Sequence, residues 1–206
     1  VLWAGASAVY GESVMEQTYG RLRPIPAERV VEAADGHVVD LAGRALRCLD
    51  TPGHARHHNA IHDARANVCF TGDVFGLSYR DFDTAQGPFI LPTTSPVQFD
   101  PEALHASIDR LVALRPQAMY LTHYGRVEEV GRLAADLHVQ IDAMVELARA
   151  AHGRPDRHAV LAESLTDLYA TRAAAHGWQQ GRDTLRQLLD MDIELNAQGL
   201  EVWLDR

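Results

Sequence analysis

Three short apolar stretches in this chain each run into a tight, glycine-bearing turn that carries a histidine or an aspartate. Ala45-Leu46-Arg47-Cys48-Leu49-Asp50 leads into Thr51-Pro52-Gly53-His54. Val68-Cys69-Phe70-Thr71 leads into Gly72-Asp73, and Ala118-Met119-Tyr120-Leu121 leads into Thr122-His123-Tyr124-Gly125. Apolar runs of this length, bounded by Gly, Pro and Asp, read as β-strands. A fold that repeats this construction places chemistry-bearing side chains just beyond strand ends, where a rigid scaffold holds them and loops leave room for a substrate. Imidazole nitrogen and carboxylate oxygen are the donors that zinc, iron and manganese accept. The pattern therefore predicts a sheet that presents metal ligands at one edge.

The segments between these strands predict an α+β chain with α/β-type layers. His37–Leu41 and Arg44–Asp50 form a hairpin around Ala42-Gly43. The segment with Ala60 and Ile61 turns through residues 62–67 and returns as the Val68 strand. Residues 74–99 hold Phe75, Tyr79, Phe82, Phe89 and Phe99 among glycines and prolines. A connection of that length is expected to do something, such as roofing a site. Asp100-Pro101-Glu102 opens a helix with an N-cap acceptor, proline at the first position and an acid in the first turn. Pro116 ends it before the Ala118 strand. Beyond Gly125 the character changes to three helices, over Val127–Ala151, Val160–Ala175 and Thr184–Leu204. His138, His152, His158 and His176 stand singly in this tail and read as solvated or capping residues. The expected division is an α/β part over 1–126 and a helical extension over 127–206.

Charge and composition exclude several functions. A net charge of −9 argues against binding nucleic acid through phosphate neutralisation, which needs a basic face. Small-molecule substrates remain open. Cys48 and Cys69 both lie inside apolar strands and no C-x-x-C pair exists, so two buried, reduced thiols and a cytoplasmic location are expected. No apolar run approaches the ~20 residues that span a bilayer, so no membrane partner is expected. Residues 1–16 read as an amphipathic helix on Leu2, Trp3, Ala6, Val9, Tyr10 and Val14. The chain starts without methionine inside that pattern, so it is expected to be a piece of something longer.

Taken together and in order, the three strand-end motifs resemble the third, fourth and fifth motifs of the metallo-β-lactamase-fold hydrolases. The likeness covers about residues 30–125. It implies a partial αβ/βα sandwich with a helical extension, in which His54 ligates one metal, His123 a second, and Asp73 bridges the two. It further implies two divalent ions, with zinc the first expectation and iron or manganese the alternatives. A metal-bridging hydroxide would hydrolyse small esters, thioesters or lactones. His58 (or its neighbour His57) would orient His54, while Tyr124 and Tyr79 would stand near the cleft as donors or packing residues. Asp50, four residues before His54, would be placed to accept from a ligand imidazole.

The family's H-x-H-x-D-H motif is absent from these 206 residues. Only about half of the metal donors are therefore expected, either in a fragment or in a degenerate relative without chemistry. Two other readings stay open: an iron-dependent persulfide dioxygenase-like enzyme and a non-catalytic binding or regulatory remnant. The helical extension is the expected surface of a homodimer, if one forms.

Overall fold

A computed structural model describes every residue except 1, 2, 5, 6, 8–10, 21 and 95–97. The chain divides into two compact units, residues 1–33 and 34–206. In the first, helix α1 spans Glu12–Tyr19 between Gly11 and Gly20, both at positive φ, and a 3-10 turn covers Ala27–Arg29. Trp3, Ala4 and Ser7 are also helical, while the rest of the helix expected over 1–10 lies outside the described residues. Val14, assigned above to the apolar face, is exposed, and Met15 is the buried residue of α1.

The second unit is built on one six-stranded sheet. Its strands are β1 (Val38–Leu41), β2 (Arg44–Asp50), β3 (Asn59–Asp63), β4 (Val68–Gly72), β5 (Ala118–Leu121) and β6 (Gly125–Val127), in that spatial order. All neighbours are antiparallel except β4 and β5, which are parallel. A parallel pair needs a crossover. Residues 73–117 supply it, including helix α2 (Pro101–Ala113), where the Asp100 carboxylate accepts from the Ala103 amide as the sequence predicts. Because β2 is antiparallel to β3, and β3 to β4, strand β2 runs in the same direction as β4 and β5. All three strand-end turns therefore emerge at one end of the sheet.

Alternation along the strands sorts the faces. Leu49, Ala60, Cys69, Met119 and Val127 join the core beneath the helices. On the opposite face Phe70 and Tyr120 stack with ring centres 5.1 Å apart and stay 43% and 36% exposed. Both cysteines are free and buried, as expected, and burial pushes the Cys69 thiol up to about 11.

Helices α3 (Val130–Ala151), α4 (Arg157–Ala175), α5 (Arg182–Leu188) and α6 (Asp190–Leu204) complete the unit. Helix α2 packs on α3, α3 on α4 and α6, and α4 on α5 and α6. The last predicted helix is thus two, broken at Leu189. Leu185, Leu189, Ile193, Ala197 and Leu200 recur every three or four residues and are fully buried, so the apolar stripe crosses the break without a mark.

The 74–99 connection differs from the expected roof. Phe75, Phe82, Phe89 and Phe99 are buried in the core, Leu77 and Leu91 exchange backbone hydrogen bonds, and the Trp178 ring packs 4.7 Å from Phe82. Its phenylalanines pack into the core while Arg80, Asp81, Asp83, Ala85 and Gln86 stay exposed, and what it delivers to the strand ends is Tyr79 and Thr93.

Candidate metal centre

The three strand-end side chains meet. His54 Nε2 lies 3.9 Å from one Asp73 carboxylate oxygen, and His123 Nε2 lies 3.3 Å from the other. Each oxygen therefore faces one imidazole. The site is graded in exposure, from the sheltered His54 to the half-exposed His123.

Two glycines shape the turns that carry these residues. Gly53 has φ +130, and a Cβ there would stand 2.3 Å from the backbone of Leu104, so the turn lies directly against α2. Ser107 of α2 donates to the Pro52 carbonyl at 2.6 Å and the Asp100 amide to the Gly53 carbonyl at 2.8 Å, which fixes the approach of His54. Gly72 has φ +53, and a Cβ there would come within 2.4 Å of His58 Nε2. Only glycine meets both requirements without strain.

The tautomers of the two buried imidazoles follow from their partners. His54 Nδ1 faces the Thr93 carbonyl at 3.3 Å and the Thr93 hydroxyl at 2.9 Å. A carbonyl only accepts, so Nδ1 carries the proton and the Nε2 lone pair points at Asp73. Burial lowers the pKa of His54, opposed by Asp73, which favours this neutral form. The Thr93 hydroxyl in turn donates to the Asp73 carbonyl at 3.3 Å, tying both residues to one group.

His58 has a different task from the one expected. The Asp73 amide donates to His58 Nε2 at 2.9 Å, so Nδ1 carries the proton and donates to the Thr51 hydroxyl at 2.9 Å. Both ring nitrogens are thus engaged, and His58 holds the Asp73 backbone. It meets His54 only edge-on, with ring centres 5.9 Å apart. Asp50 is exposed, and its backbone amide donates to Asp35 while its carbonyl accepts from Arg110.

On the far side, Tyr124 has φ +69 and its carbonyl accepts from Arg80 at 2.7 Å. Its ring packs against Tyr79 with centres 4.0 Å apart. The Tyr79 hydroxyl donates to Asp192 of α6 at 2.6 Å, so it is committed to that carboxylate. Burial raises the Asp192 pKa, opposed by Tyr79 and by the imidazole of His123. Asp192 and Thr93 are the residues the sequence reading missed. Asp192 and Tyr79 stand 113 positions apart, and no local motif marks either Asp192 or Thr93.

The donor set can be tested against a metal. Ligand atoms around one tetrahedral zinc, each about 2.0–2.2 Å from it, lie roughly 3.3–3.6 Å from one another. The His123–Asp73 spacing of 3.3 Å meets this and the His54–Asp73 spacing of 3.9 Å slightly exceeds it. Each position has two protein donors, where tetrahedral zinc takes about four ligands. Among the described residues, no group of three or more His, Cys, Asp or Glu side chains is arranged to hold a metal ion. These spacings bring Asp73 and one imidazole, two donors at most, within reach of any one ion.

No family model matches the chain. Among curated proteins, it is 32% identical over 110 residues to the metallo-beta-lactamase fold-containing protein ST1585 of Sulfurisphaera tokodaii. That match covers 53% of this chain and 38% of the relative. Among solved structures, the archaeal metallo-beta-lactamase superfamily protein ST1585 from Sulfolobus tokodaii matches over 97% of this chain and 62% of its own. It does so at 24% identity and a TM-score of 0.59. The chain has the metallo-β-lactamase fold. A beta-lactamase domain protein from Burkholderia ambifaria (TM-score 0.53, 19% identity, 94% of this chain and 57% of that one) shares this fold. So does the metallo-beta-lactamase family protein TTHA1429 from Thermus thermophilus (0.52, 20%, 92% and 62%). This metallo-β-lactamase-fold chain spans less than two thirds of the length of each relative. No helix among its described residues is long and apolar enough to cross a membrane.

Proposed function

We propose that this chain is the portion of a metal-dependent hydrolase that supplies half of a two-metal site, acting on small ester, thioester or lactone substrates. The observation that carries this reading is the meeting of His54 Nε2, the Asp73 carboxylate and His123 Nε2, with one carboxylate oxygen turned to each imidazole. His54 would hold one cation, His123 the other, and Asp73 both. Divalent ions there supply Lewis acidity, which polarises a scissile carbonyl and acidifies water. The chain's own residues do the positioning. Thr93 fixes the His54 tautomer, His58 fixes the Asp73 backbone, and Tyr79 with Asp192 walls the side next to His123.

The remaining donors are assigned to a complementary αβ layer packed on the exposed Phe70–Tyr120 face. The 206 residues alone are then expected to bind metal weakly and to turn nothing over. The test compares metal content and hydrolysis of an ester, thioester and lactone panel for the full-length gene product, its Asp73→Asn variant and its His152→Ala variant. Asp73→Asn is expected to lose metal and activity together, by at least about 100-fold in rate, and His152→Ala to retain both. Equal activity in the two variants overturns the reading.

A further inference from the structure

Two residues of the 74–99 connection grip the turn that carries His123. Arg80 Nη2 donates to the Tyr124 carbonyl at 2.7 Å and to the Arg126 carbonyl at 3.0 Å, so one nitrogen brackets Gly125. Arg80 Nη1 stands 3.4 Å from the Asp83 carboxylate, which steadies the guanidinium from its other side. Tyr79 lays its ring against that of Tyr124, and its hydroxyl is tied to Asp192 of α6. The base of this grip is rigid. Arg80 opens the 3-10 turn Arg80–Phe82, whose Phe82 is fully buried and packs against Trp178.

The His123 turn needs such a hold from outside. His54 is oriented through its own ring, because Thr93 occupies Nδ1. Among the described residues no hydrogen bond reaches His123 Nδ1, and the imidazole is half-exposed. The aim of that ring therefore comes from the backbone that carries it. Pairing of β5 with β6 stops at Leu121 and Gly125, which leaves residues 122–124 outside the ladder. Within them Tyr124 has φ +69, a conformation that is costly for a residue with a Cβ and persists where its surroundings impose it. The Thr122 amide reaches the Gly72 carbonyl only at 3.4 Å, a weak restraint from the β4 side. The Arg80 hydrogen bonds are shorter and charge-assisted, and a guanidinium keeps its charge throughout the pH range in which proteins fold.

We propose that Arg80 is the positioning residue of His123, holding the 122–126 turn so that the imidazole Nε2 meets Asp73. Resting on the hydrolase reading above, this assignment extends the site to an arginine outside the three strand-end motifs. It also makes α6 a buttress of the site, since Asp192 fixes the Tyr79 ring on which Tyr124 rests. Arg80 acts on the reaction only through the turn.

The test uses the full-length gene product as wild type, Arg80→Gln, Arg80→Lys and Asp73→Asn. Each is measured for kcat, KM, melting temperature, the His123 imidazole NMR resonances and hydrogen exchange of the 122–126 amides. Arg80→Gln is expected to lower kcat by about 10- to 100-fold and to leave KM and melting temperature nearly unchanged. It should also shift the His123 resonances and speed exchange in the turn. Arg80→Lys keeps the charge but offers a point donor to two carbonyls, so it should recover part of the rate. Unmoved His123 resonances in Arg80→Gln, or a kcat within about twofold of wild type beside an inactive Asp73→Asn, overturn the proposal and leave the hydrolase reading standing. So does a rate loss that Arg80→Lys shares in full and that follows a falling melting temperature. A fully active Asp73→Asn instead overturns the hydrolase reading, and this assignment with it.

Discussion

At the scale of single residues, the site is a matter of which nitrogen carries a proton. Thr93 decides it for His54, because its carbonyl and hydroxyl sit at Nδ1 and leave Nε2 for Asp73. Thr93→Val keeps the shape of the side chain and removes the hydroxyl. It is expected to lower zinc affinity of the full-length protein about 10-fold with little change in melting temperature, as measured by competition with a chromophoric chelator. His54, Asp73 and His123 were legible in the sequence because each ends an apolar strand beside a glycine. The task of His58 was not, since it depends on β4 returning beneath the Thr51–His58 turn to bring the Asp73 amide to Nε2. A motif names a residue; only the fold says which of its atoms is spoken for.

At the scale of elements, the helical tail is joined to the α/β part by polar contacts that no periodicity announces. Asn196 of α6 is buried. It accepts from the Thr94 amide at 2.8 Å and donates to the Pro92 carbonyl at 3.2 Å and to the Tyr169 hydroxyl at 2.9 Å. Asn196→Ala leaves the Thr94 amide and the Pro92 carbonyl buried and unmet, at about 1–3 kcal/mol for each group. Urea denaturation is expected to show a loss of at least about 2 kcal/mol, and hydrogen exchange to show faster opening around Thr94. The α4–α6 clasp adds a pH dependence. His158 stands 3.0 Å from Glu194 and 2.8 Å from Glu201, and the Glu201 hydrogen bond, more than any other influence, raises its pKa above 6.5. A raised folded-state pKa gives stability that is whole below the unfolded value and fades as pH rises through the folded one. The melting-temperature gap between wild type and His158→Gln should therefore be present at about pH 6 and shrink by about pH 8. The effect is small, because the imidazole is 42% exposed. The sequence showed where α3 and α4 lie, yet it ran α5 and α6 together because their buried stripe is continuous across Leu189.

At the scale of the whole molecule, strand direction is the cause of the site. With β2, β4 and β5 pointing the same way, three turns far apart in the chain open at one end of the sheet. The sequence conveyed this through repetition of the strand-end motif. It held no sign that the sheet's second face would carry Phe70 and Tyr120 stacked in solvent, because alternation alone does not say what covers a face. Full burial of such a ring contributes about 1.5–3 kcal/mol, so a complementary layer gains part of that from each. The double variant Phe70→Ser, Tyr120→Ser is expected to make the 206-residue chain more monomeric by light scattering, and to destabilise the full-length protein. Improved behaviour in both settings would show that nothing packs there.

The most direct test of the central claim is the metal content of the full-length protein by mass spectrometry, beside that of Asp73→Asn. A carboxylate turned to two imidazoles predicts close to two divalent ions per chain in the wild type and a loss of both in the variant. An unchanged metal count after Asp73→Asn would contradict the account.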